Sequence, residues 1–341
     1  MTPLFPKLVR ALLVCSLASA AGVRGQVVLR GAGSTFPAPL YEKWFADYNQ
    51  LDPSVQFKYQ GVGSGRGQSL LEAQAVDFGA SDAPMTYEAL ASAPGTILHV
   101  PTVGGADVIT FNLHEVKELR LDGETLAAIY LGKITQWNDP AIARLNPGTR
   151  LPDEDITVVH RSDASGTTYI FTDYLGRVSA EWKLKVGRYL SVNWPTGVGV
   201  VGSSGVSGYV KKTPGAIGYV ELLYALQDHL SQAAIRNASG AYIKATTASV
   251  GAALSAAAIP EDLRLSAVDQ QGASAYPISG VTWLLVYQHG DDAATKQKLM
   301  AFLKWALTDG QKTAKELNYA PLPDRLRSRV LAEINEISAH S

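Results

Sequence analysis

The chain has 341 residues, a formal net charge of −1 at pH 7 and one cysteine, Cys15. This length exceeds what one hydrophobic core usually spans, so we expect two domains. The near-neutral charge argues against nucleic acid and anionic membranes as partners. The single cysteine argues against a disulfide or a thiolate-bound metal. An anionic ligand would therefore be held by local dipoles and one or two placed charges.

The first 25 residues have the pattern of an export signal. Lys7 and Arg10 form a positively charged start, residues 11–18 an apolar run, and Ala18-Ser19-Ala20 a small-residue cleavage site. The apolar run is too short to span a bilayer, and the cysteine within it lacks the small preceding residue of a lipid-anchor site. We therefore predict an exported, freely diffusing protein, cleaved after Ala20 or Gly25. A buried N-terminal helix is the structural alternative.

The next part of the chain alternates between strand and helix patterns. Strands are predicted over 27–30, 55–59 and 76–80, and helices over 40–48 and 68–75. This β-α-β-α-β order predicts a mostly parallel sheet that binds ligands at the carboxyl ends of its strands.

The same alternation resumes after residue 112. The periodicity predicts a strand over 156–160, a late strand over 283–287, and helices over 126–130, 140–145, 167–175, 293–307 and 326–337. The glycine-rich residues 197–208 are interpreted as a flexible lead into a helix, without a ligand. Residues 231–258 are interpreted as peripheral helix and loop. The whole chain is thus predicted to be an α/β protein.

Three segments rich in glycine and hydroxyl residues lie where a predicted strand leads into a predicted helix. They are Gly31-Ala32-Gly33-Ser34-Thr35-Phe36-Pro37-Ala38-Pro39, Gly61-Val62-Gly63-Ser64-Gly65-Arg66-Gly67 and Arg161-Ser162-Asp163-Ala164-Ser165-Gly166-Thr167. Free backbone N–H groups at helix N-termini bind oxyanions. One such loop is usually an ordinary turn, but three together favour an oxyanion site.

The polar groups of these loops suit an oxyanion that carries a proton. Arg161 offers paired donors to two oxygens. Further hydroxyl and amide donors come from Phe36, Ser64, Ser165, Gly166 and Thr167. Asp82 repels a fully ionised anion but accepts a hydrogen bond from HPO₄²⁻ or H₂PO₄⁻. Sulfate carries no such proton near neutral pH, so Asp82 would discriminate against it.

Each of these residues also has an ordinary structural interpretation. Asp82 precedes Ala83-Pro84 and is able to cap a turn. Arg161 and Asp163 are able to form a surface ion pair of little energetic value, and Arg66 fits a solvated helix start. Only the combination of residues favours a binding site.

Sequence motifs for catalysis, nucleotides and metals are missing. Neither Ser64 nor Ser165 has the flanking glycines of a nucleophile elbow. Gly132-Lys133 is followed by Ile134 rather than by the hydroxyl residue of a nucleotide-binding loop. The six histidines lack metal-ligand spacing. We predict no catalytic residue, no cofactor and no metal.

At these residues the chain resembles the PstS-type phosphate receptor of the high-affinity bacterial phosphate ABC transporter. The resemblance covers the first and third segments and further blocks at 59–65, 76–84, 129–134 with Trp137, 214–221 and 319–323. These blocks follow one another through nearly the whole chain after the export signal.

The resemblance implies a phosphate site of eight residues, namely Thr35, Phe36, Ser64, Asp82, Arg161, Ser165, Gly166 and Thr167. In such receptors some positions contribute backbone N–H groups and others hydroxyls. Asp82 would accept the ligand proton and Arg161 would be the positive partner. Asp163 would tether Arg161 and partly offset its charge. Arg66 departs from the small residue that is frequent in the family.

The resemblance also implies a type II-like periplasmic binding protein, with two α/β lobes joined by hinge strands and a ligand cleft between them. Lobe 1 would comprise residues 26–111 and 277–341, and lobe 2 residues 112–276, with crossings near 111–112 and 276–279. The implied function is capture of inorganic phosphate in the periplasm by a monomer and delivery to the permease subunits of the transporter. A receptor for another protonated oxyanion, such as arsenate, and a secreted phosphohydrolase remain the alternatives.

Overall fold

The computed structural model describes residues 26–290 and 292–339. The predicted export signal lies outside the described residues. The strands are β1 (Val27–Gly33), β2 (Val55–Gly61), β3 (Phe78–Ser81), β4 (Ile97–Phe111), β5 (Arg120–Leu121), β6 (Thr157–Arg161), β7 (Val198–Val200), β8 (Ala216–Glu221), β9 (Ser231–Gln232), β10 (Ala234–Arg236), β11 (Tyr242–Ile243), β12 (Ser279–Tyr287), β13 (His289–Gly290) and β14 (Ser338–Ala339).

The helices alternate with these strands along most of the chain. They are α1 (Ala38–Leu51), α2 (Ser64–Glu72), α3 (Tyr87–Ser92), α4 (Gly123–Tyr130), α5 (Pro140–Leu145), α6 (Gly166–Val178), α7 (Ala180–Lys185), α8 (Gly202–Lys212), α9 (Leu222–Gln227), α10 (Thr247–Ala256), α11 (Ala293–Ala306), α12 (Gly310–Glu316) and α13 (Asp324–Ile334). Within the described ranges, no helix has both the length and the apolar character needed to cross a membrane.

One large mixed sheet organises the described chain. Its strands lie in the order β2-β1-β3-β12-β4-β8-β6-β7, and β9 also pairs with β4. β1 is parallel to β2 and β3, as the early alternation of strands and helices predicts. β6 is likewise parallel to β7 and β8, whereas β12 is antiparallel to β3 and β4. The predicted α/β class is confirmed.

The strand β4 joins the two halves of this sheet. It pairs with β12 from Ile97 to Ala106 and with β8 from Asp107 to Phe111. Every residue of β4 is buried. Periodicity did not predict this strand, because a strand buried on both faces has no alternation of apolar and polar residues. The change of partner precedes the predicted crossing at 111–112, and the division into lobes stays a prediction.

Aromatic side chains pack helices against both halves of the sheet. Phe45 of α1 stacks on Phe57 of β2 with ring centroids 4.4 Å apart, and Phe302 of α11 packs against both. Phe171 of α6 stacks on Tyr219 of β8, also at 4.4 Å. Such buried pairs contribute about 0.5–1.5 kcal/mol beyond the burial of their area. They fix α1, which follows Thr35 and Phe36, and α6, whose first turn contains Gly166 and Thr167.

The glycine-rich stretch that was interpreted as a flexible lead is largely helical. β7 ends at Val200, and α8 begins at Gly202, whose φ of +73° favours glycine. Glycine and serine are poor helix formers, so local propensity argued against a helix here. Val206 and Val210 are fully buried, and both lie against Gly218 of β8. Tertiary packing therefore overrides propensity in α8.

Candidate ligand-binding site

The second and third of the predicted loops are in direct contact. β2 ends just before α2, and β6 ends at Arg161, shortly before α6. The backbone N–H of Gly65 donates a 2.9 Å hydrogen bond to the carbonyl of Ala164. A β-carbon on Gly63 would lie 2.7 Å from Asp163 Oδ2. The two loops close against each other, with the predicted site residues around the contact.

Asp82 lies at the centre of a buried group of hydroxyls. Thr282 donates to its Oδ1 over 2.7 Å, and Ser34 donates to its Oδ2. The Ser64 hydroxyl lies 3.5 Å from Oδ2 and accepts a 3.1 Å bond from the Asp82 backbone N–H. Only 1 % of Asp82 is exposed. The carboxylate is thus held as an acceptor, with one long and weak contact at Oδ2.

Burial raises the pKa of Asp82 from 3.8 to about 6. Hydrogen bonds from Ser34 and Thr282 and the charge of Arg161 oppose this shift. Asp82 is therefore mostly ionised at neutral pH, and an ionised carboxylate only accepts hydrogen bonds. It favours a ligand oxygen that carries a proton.

Arg161 is buried at the end of β6, with 3 % of the residue exposed. Its Nε donates to Asp163 Oδ1 over 2.7 Å, and its Nη2 donates to Asp163 Oδ2. The remaining Nη1 contacts the hydroxyls of Thr167 and Ser203 at 3.4 Å each. Bonds of this length are weak, so Nη1 retains capacity for a better acceptor. Arg161 is buried and Asp163 is partly buried, so this is not the surface ion pair considered from the sequence.

Asp163 holds Arg161 in place and connects it to α8. Burial raises the pKa of Asp163, but the hydrogen bonds and the charge of Arg161 outweigh burial and hold the pKa below its usual value. Its Oδ1 also accepts a 3.1 Å bond from the backbone N–H of Gly202. The ionised carboxylate therefore offsets part of the Arg161 charge.

The third loop ends in the first turn of α6. Ser165 caps this helix, and its hydroxyl accepts a 3.2 Å bond from the Thr168 N–H. Gly166 then begins the helix, and the first N–H groups of a helix have no partner within it. A β-carbon on Gly166 would lie 2.3 Å from Ser64 Oγ and 2.5 Å from Asp82 Oδ2. Only glycine permits this approach of the helix N-terminus to Asp82.

The first loop places Thr35 and Phe36 beside the same group. Thr35 Oγ1 lies 2.9 Å from Ser203 Oγ, and the Phe36 N–H donates to Ser34 Oγ over 3.0 Å. The Tyr319 hydroxyl donates to the Phe36 carbonyl over 2.7 Å. The loop is therefore tied both to the Asp82 group and to α8.

All eight residues predicted for the site lie in or beside this one group of contacts. Three more members were not predicted, namely Ser34, Ser203 and Thr282. Ser34 lies inside the first glycine-rich segment, so its position in the motif already pointed to it. Ser203 lies in the stretch that was given no ligand, and its hydroxyl contacts Thr35 and Arg161. Nothing in the sequence singles out Thr282.

Arg66 and His99 make none of the site contacts described above. Arg66 is exposed in the first turn of α2, in agreement with the solvated interpretation. Buried His99 accepts a hydrogen bond from the Met85 N–H, and burial lowers its pKa to about 4. No cluster of His, Cys, Asp or Glu among the described residues is suited to a metal ion.

Comparisons with known proteins place this fold and site in a known class. A family profile described as a PBP superfamily domain matches residues 18–310. A solved high-affinity periplasmic phosphate-binding protein with bound phosphate aligns with a TM-score of 0.73 and 23% identity, covering 90% of this chain and 93% of the other. A putative phosphate ABC transporter substrate-binding protein from Clostridium perfringens aligns with a TM-score of 0.65 and 19% identity, over 87% and 100%. The fold and the site thus define a binding protein of the PBP superfamily.

Sequence relatives identify the family within this class. The phosphate-binding protein PstS of Xylella fastidiosa is 43% identical over 310 residues, which cover 90% of this chain and 84% of the relative. The PstS of Pasteurella multocida is 40% identical over 329 residues, covering 95% of each chain. The chain belongs to the PstS family of phosphate-binding proteins, and the resemblance found in its sequence is confirmed.

Proposed function

We propose that this protein binds inorganic phosphate and delivers it to the permease of a phosphate ABC transporter. One observation carries the proposal: a buried, ionised acceptor at Asp82 lies beside a helix N-terminus and a group of donors that includes buried Arg161. A proton-bearing oxyanion satisfies both kinds of group at once. The relatives named for phosphate binding support the same ligand.

We assign the ligand contacts to the eight predicted residues, Thr35, Phe36, Ser64, Asp82, Arg161, Ser165, Gly166 and Thr167. Ser203 joins them because its hydroxyl lies between Thr35 and Arg161. Arg161 and the start of α6 neutralise the anion, while Asp82 accepts its proton. Sulfate lacks that proton near neutral pH and meets repulsion instead.

We propose two lobes on the predicted boundaries, with closure driven by contacts that only the closed form makes. The contact between Gly65 and Ala164 supports such a closed arrangement. The protein would work as a monomer in the periplasm, with the permease subunits as its partners. Arsenate has the same charge and shape as phosphate and is expected to compete for the same donors.

Binding without catalysis is part of the proposal. The relatives are named as binding proteins. In the described site the Ser165 hydroxyl caps a helix, and that of Ser64 contacts Asp82, so neither is paired with a histidine base. The phosphohydrolase alternative therefore lacks an activated nucleophile.

Calorimetric titration tests the proposal. The mature protein, freed of phosphate by refolding from denaturant, is titrated with phosphate and then with sulfate near neutral pH. Tight one-to-one binding of phosphate without sulfate heat is the expected result. Comparable binding of sulfate would contradict the role of Asp82 as acceptor of the ligand proton. If the protein binds neither anion, the proposed function is overturned.

A second assay separates binding from hydrolysis. The same protein is incubated with a chromogenic phosphate ester, and the release of product is followed over many equivalents. We expect none. Sustained turnover that disappears in Ser165→Ala would contradict a pure binding function.

A further inference from the structure

Two buried carboxyl groups that the proposed phosphate site does not use face each other across β4 and β8. Asp107 is the direct partner of Glu221 in this antiparallel pair. The backbone N–H of Asp107 donates to the Ile278 carbonyl, away from β8. Asp107 and Glu221 are therefore a non-hydrogen-bonded pair of the antiparallel ladder. In such pairs the facing side chains approach each other most closely.

Both groups are fully buried, and most of their oxygens have no partner. The exposed fraction of Asp107 and of Glu221 is 0 %. Neither oxygen of the Asp107 carboxyl accepts or donates a hydrogen bond, and Glu221 Oε1 is equally unpartnered. Glu221 Oε2 accepts a 2.8 Å bond from the Leu223 N–H and lies 3.3 Å from the Tyr319 hydroxyl. Two ionised carboxylates are too costly in such surroundings, because each lacks solvation and repels the other.

The groups around Asp107 do not neutralise an ionised carboxylate there. Burial raises the pKa of Asp107 well above its usual value; the positive charge of Arg161 opposes this, and the charges of Glu221 and Asp82 add to it. The phenols of Tyr130, Tyr219 and Tyr276 also face this region, and each has a raised pKa of its own. The positive charge of Arg161 is therefore opposed by the burial of Asp107 and by the charges of Glu221 and Asp82.

The surroundings of Glu221 are similar. Burial raises its pKa well above the usual value, against hydrogen bonds from the Leu223 N–H and Tyr319, while the Asp82 charge raises it further. Tyr224 of α9 also faces Glu221 and is a neutral phenol, because burial raises its pKa.

Asp107 and Glu221 lie near the place where the two halves of the sheet join, and the proposed closure of the lobes would act there. β4 changes its partner from β12 to β8 between Ala106 and Asp107. The pair therefore lies where the chain passes between the two halves of the sheet. It also interacts electrostatically with Arg161 and Asp82, the two charged residues assigned to phosphate.

We propose that Asp107 and Glu221 form a proton-binding site beneath the phosphate site, and that phosphate capture is coupled to the protons held there. The inference rests on the proposed phosphate function. A bound phosphate anion adds negative charge near the pair, and closure removes water from it, so both effects favour the protonated forms. Protons are taken up as phosphate binds, and affinity falls at alkaline pH beyond what the ligand's own ionisation explains.

The test compares the wild type with Asp107→Asn and Glu221→Gln, which are close in shape and cannot ionise. Phosphate is titrated calorimetrically at several pH values from neutral to alkaline, in two buffers with different heats of ionisation, which gives the number of protons taken up. We expect uptake in each variant to be lower than in wild type by about half a proton or more, with a flatter dependence of Kd on pH. Asp269→Asn, at a half-buried carboxyl outside the site, is the control and should match wild type.

The outcomes separate this inference from the function. If wild type binds no phosphate, the proposed function fails; if all proteins bind phosphate with equal proton uptake and equal pH profiles, the proton site alone is overturned. Variants that melt at lower temperature with unchanged proton uptake also overturn it, since that result means a purely structural role. If Asp107→Asn does not fold, Glu221→Gln carries the comparison. Infrared spectra of wild type must in addition contain the carbonyl band of a protonated carboxyl group at neutral pH, and its absence would contradict the proposal.

Discussion

Gly166 and Asp82 are so close that a β-carbon on Gly166 would lie 2.5 Å from the Asp82 carboxylate. The start of α6 is thereby held directly against the carboxylate that we propose as the acceptor of the ligand proton. In sequence the two residues are far apart, and only the folding of β3, β6 and α6 into one sheet and its flanking layer brings them together.

Gly166→Ala should weaken phosphate binding. The added methyl group collides with Ser64 and Asp82, and overpacking of this kind costs about 1–3 kcal/mol. Calorimetry on the folded variant measures the loss. Gly176→Ala in the same helix is the matched control, because a β-carbon there meets nothing within 4 Å. Equal affinities of the two variants would mean that this contact does not exist in the binding-competent form.

Asp82→Asn should alter selectivity and the response of stability to pH. The folded protein raises the pKa of Asp82 from 3.8 to about 6, so it binds this proton more tightly than the unfolded chain does. The contribution of Asp82 to the free energy of unfolding is therefore complete at acid pH. It falls by roughly 3 kcal/mol as the pH rises from below 3.8 to above about 6.

Urea denaturation of phosphate-free protein below pH 3.8 and above about pH 6 measures this loss of stability. The asparagine variant should lose less stability on going from acid to neutral pH than wild type does. The same variant should bind sulfate, since an amide N–H is able to donate where the carboxylate repels. A variant that still ignores sulfate would contradict the assigned role of Asp82.

Arg161→Ala should weaken phosphate binding by about 1.5–3 kcal/mol, which corresponds to about 10- to 150-fold in Kd. The variant loses charge-assisted bonds from a buried guanidinium and leaves Asp163 without its partner. Arg188→Ala is the control, because this arginine is half exposed and bound to Asp173 outside the site. Similar Kd values for both variants would exclude Arg161 from the binding site.

Ser203→Ala should weaken binding by about 0.5–1.5 kcal/mol, the usual value of one neutral hydrogen bond. The buried hydroxyl connects Thr35 to Arg161 and so orders two of the residues proposed to contact the ligand. Ser204→Ala tests the neighbouring serine, which is exposed in the same helix. If only the second substitution changed Kd, the assignment of α8 to the site would be incorrect.

Sequence reasoning predicted the early parallel strands and the three loops, and the eight residues that it assigned to the site lie together in the structure. Those features depend on local signals: periodicity, glycine at strand-to-helix turns, and the ordered motifs of a family. Among the elements that were not predicted, two have a clear physical reason. β4 is buried along its whole length and carries no alternation, and α8 is a glycine- and serine-rich helix stabilised by packing on β8.

The α/β class, the family and the chemical character of the ligand follow from residue types and their spacing along the chain. Which groups meet depends on the tertiary fold. The burial of Asp82 that raises its pKa and the addition of Ser203 and Thr282 to the site result from how strands, helices and loops pack together. The facing of Asp107 and Glu221 results from strand register. Register joins residues far apart in the chain, and pKa values depend on the burial and the neighbours that result.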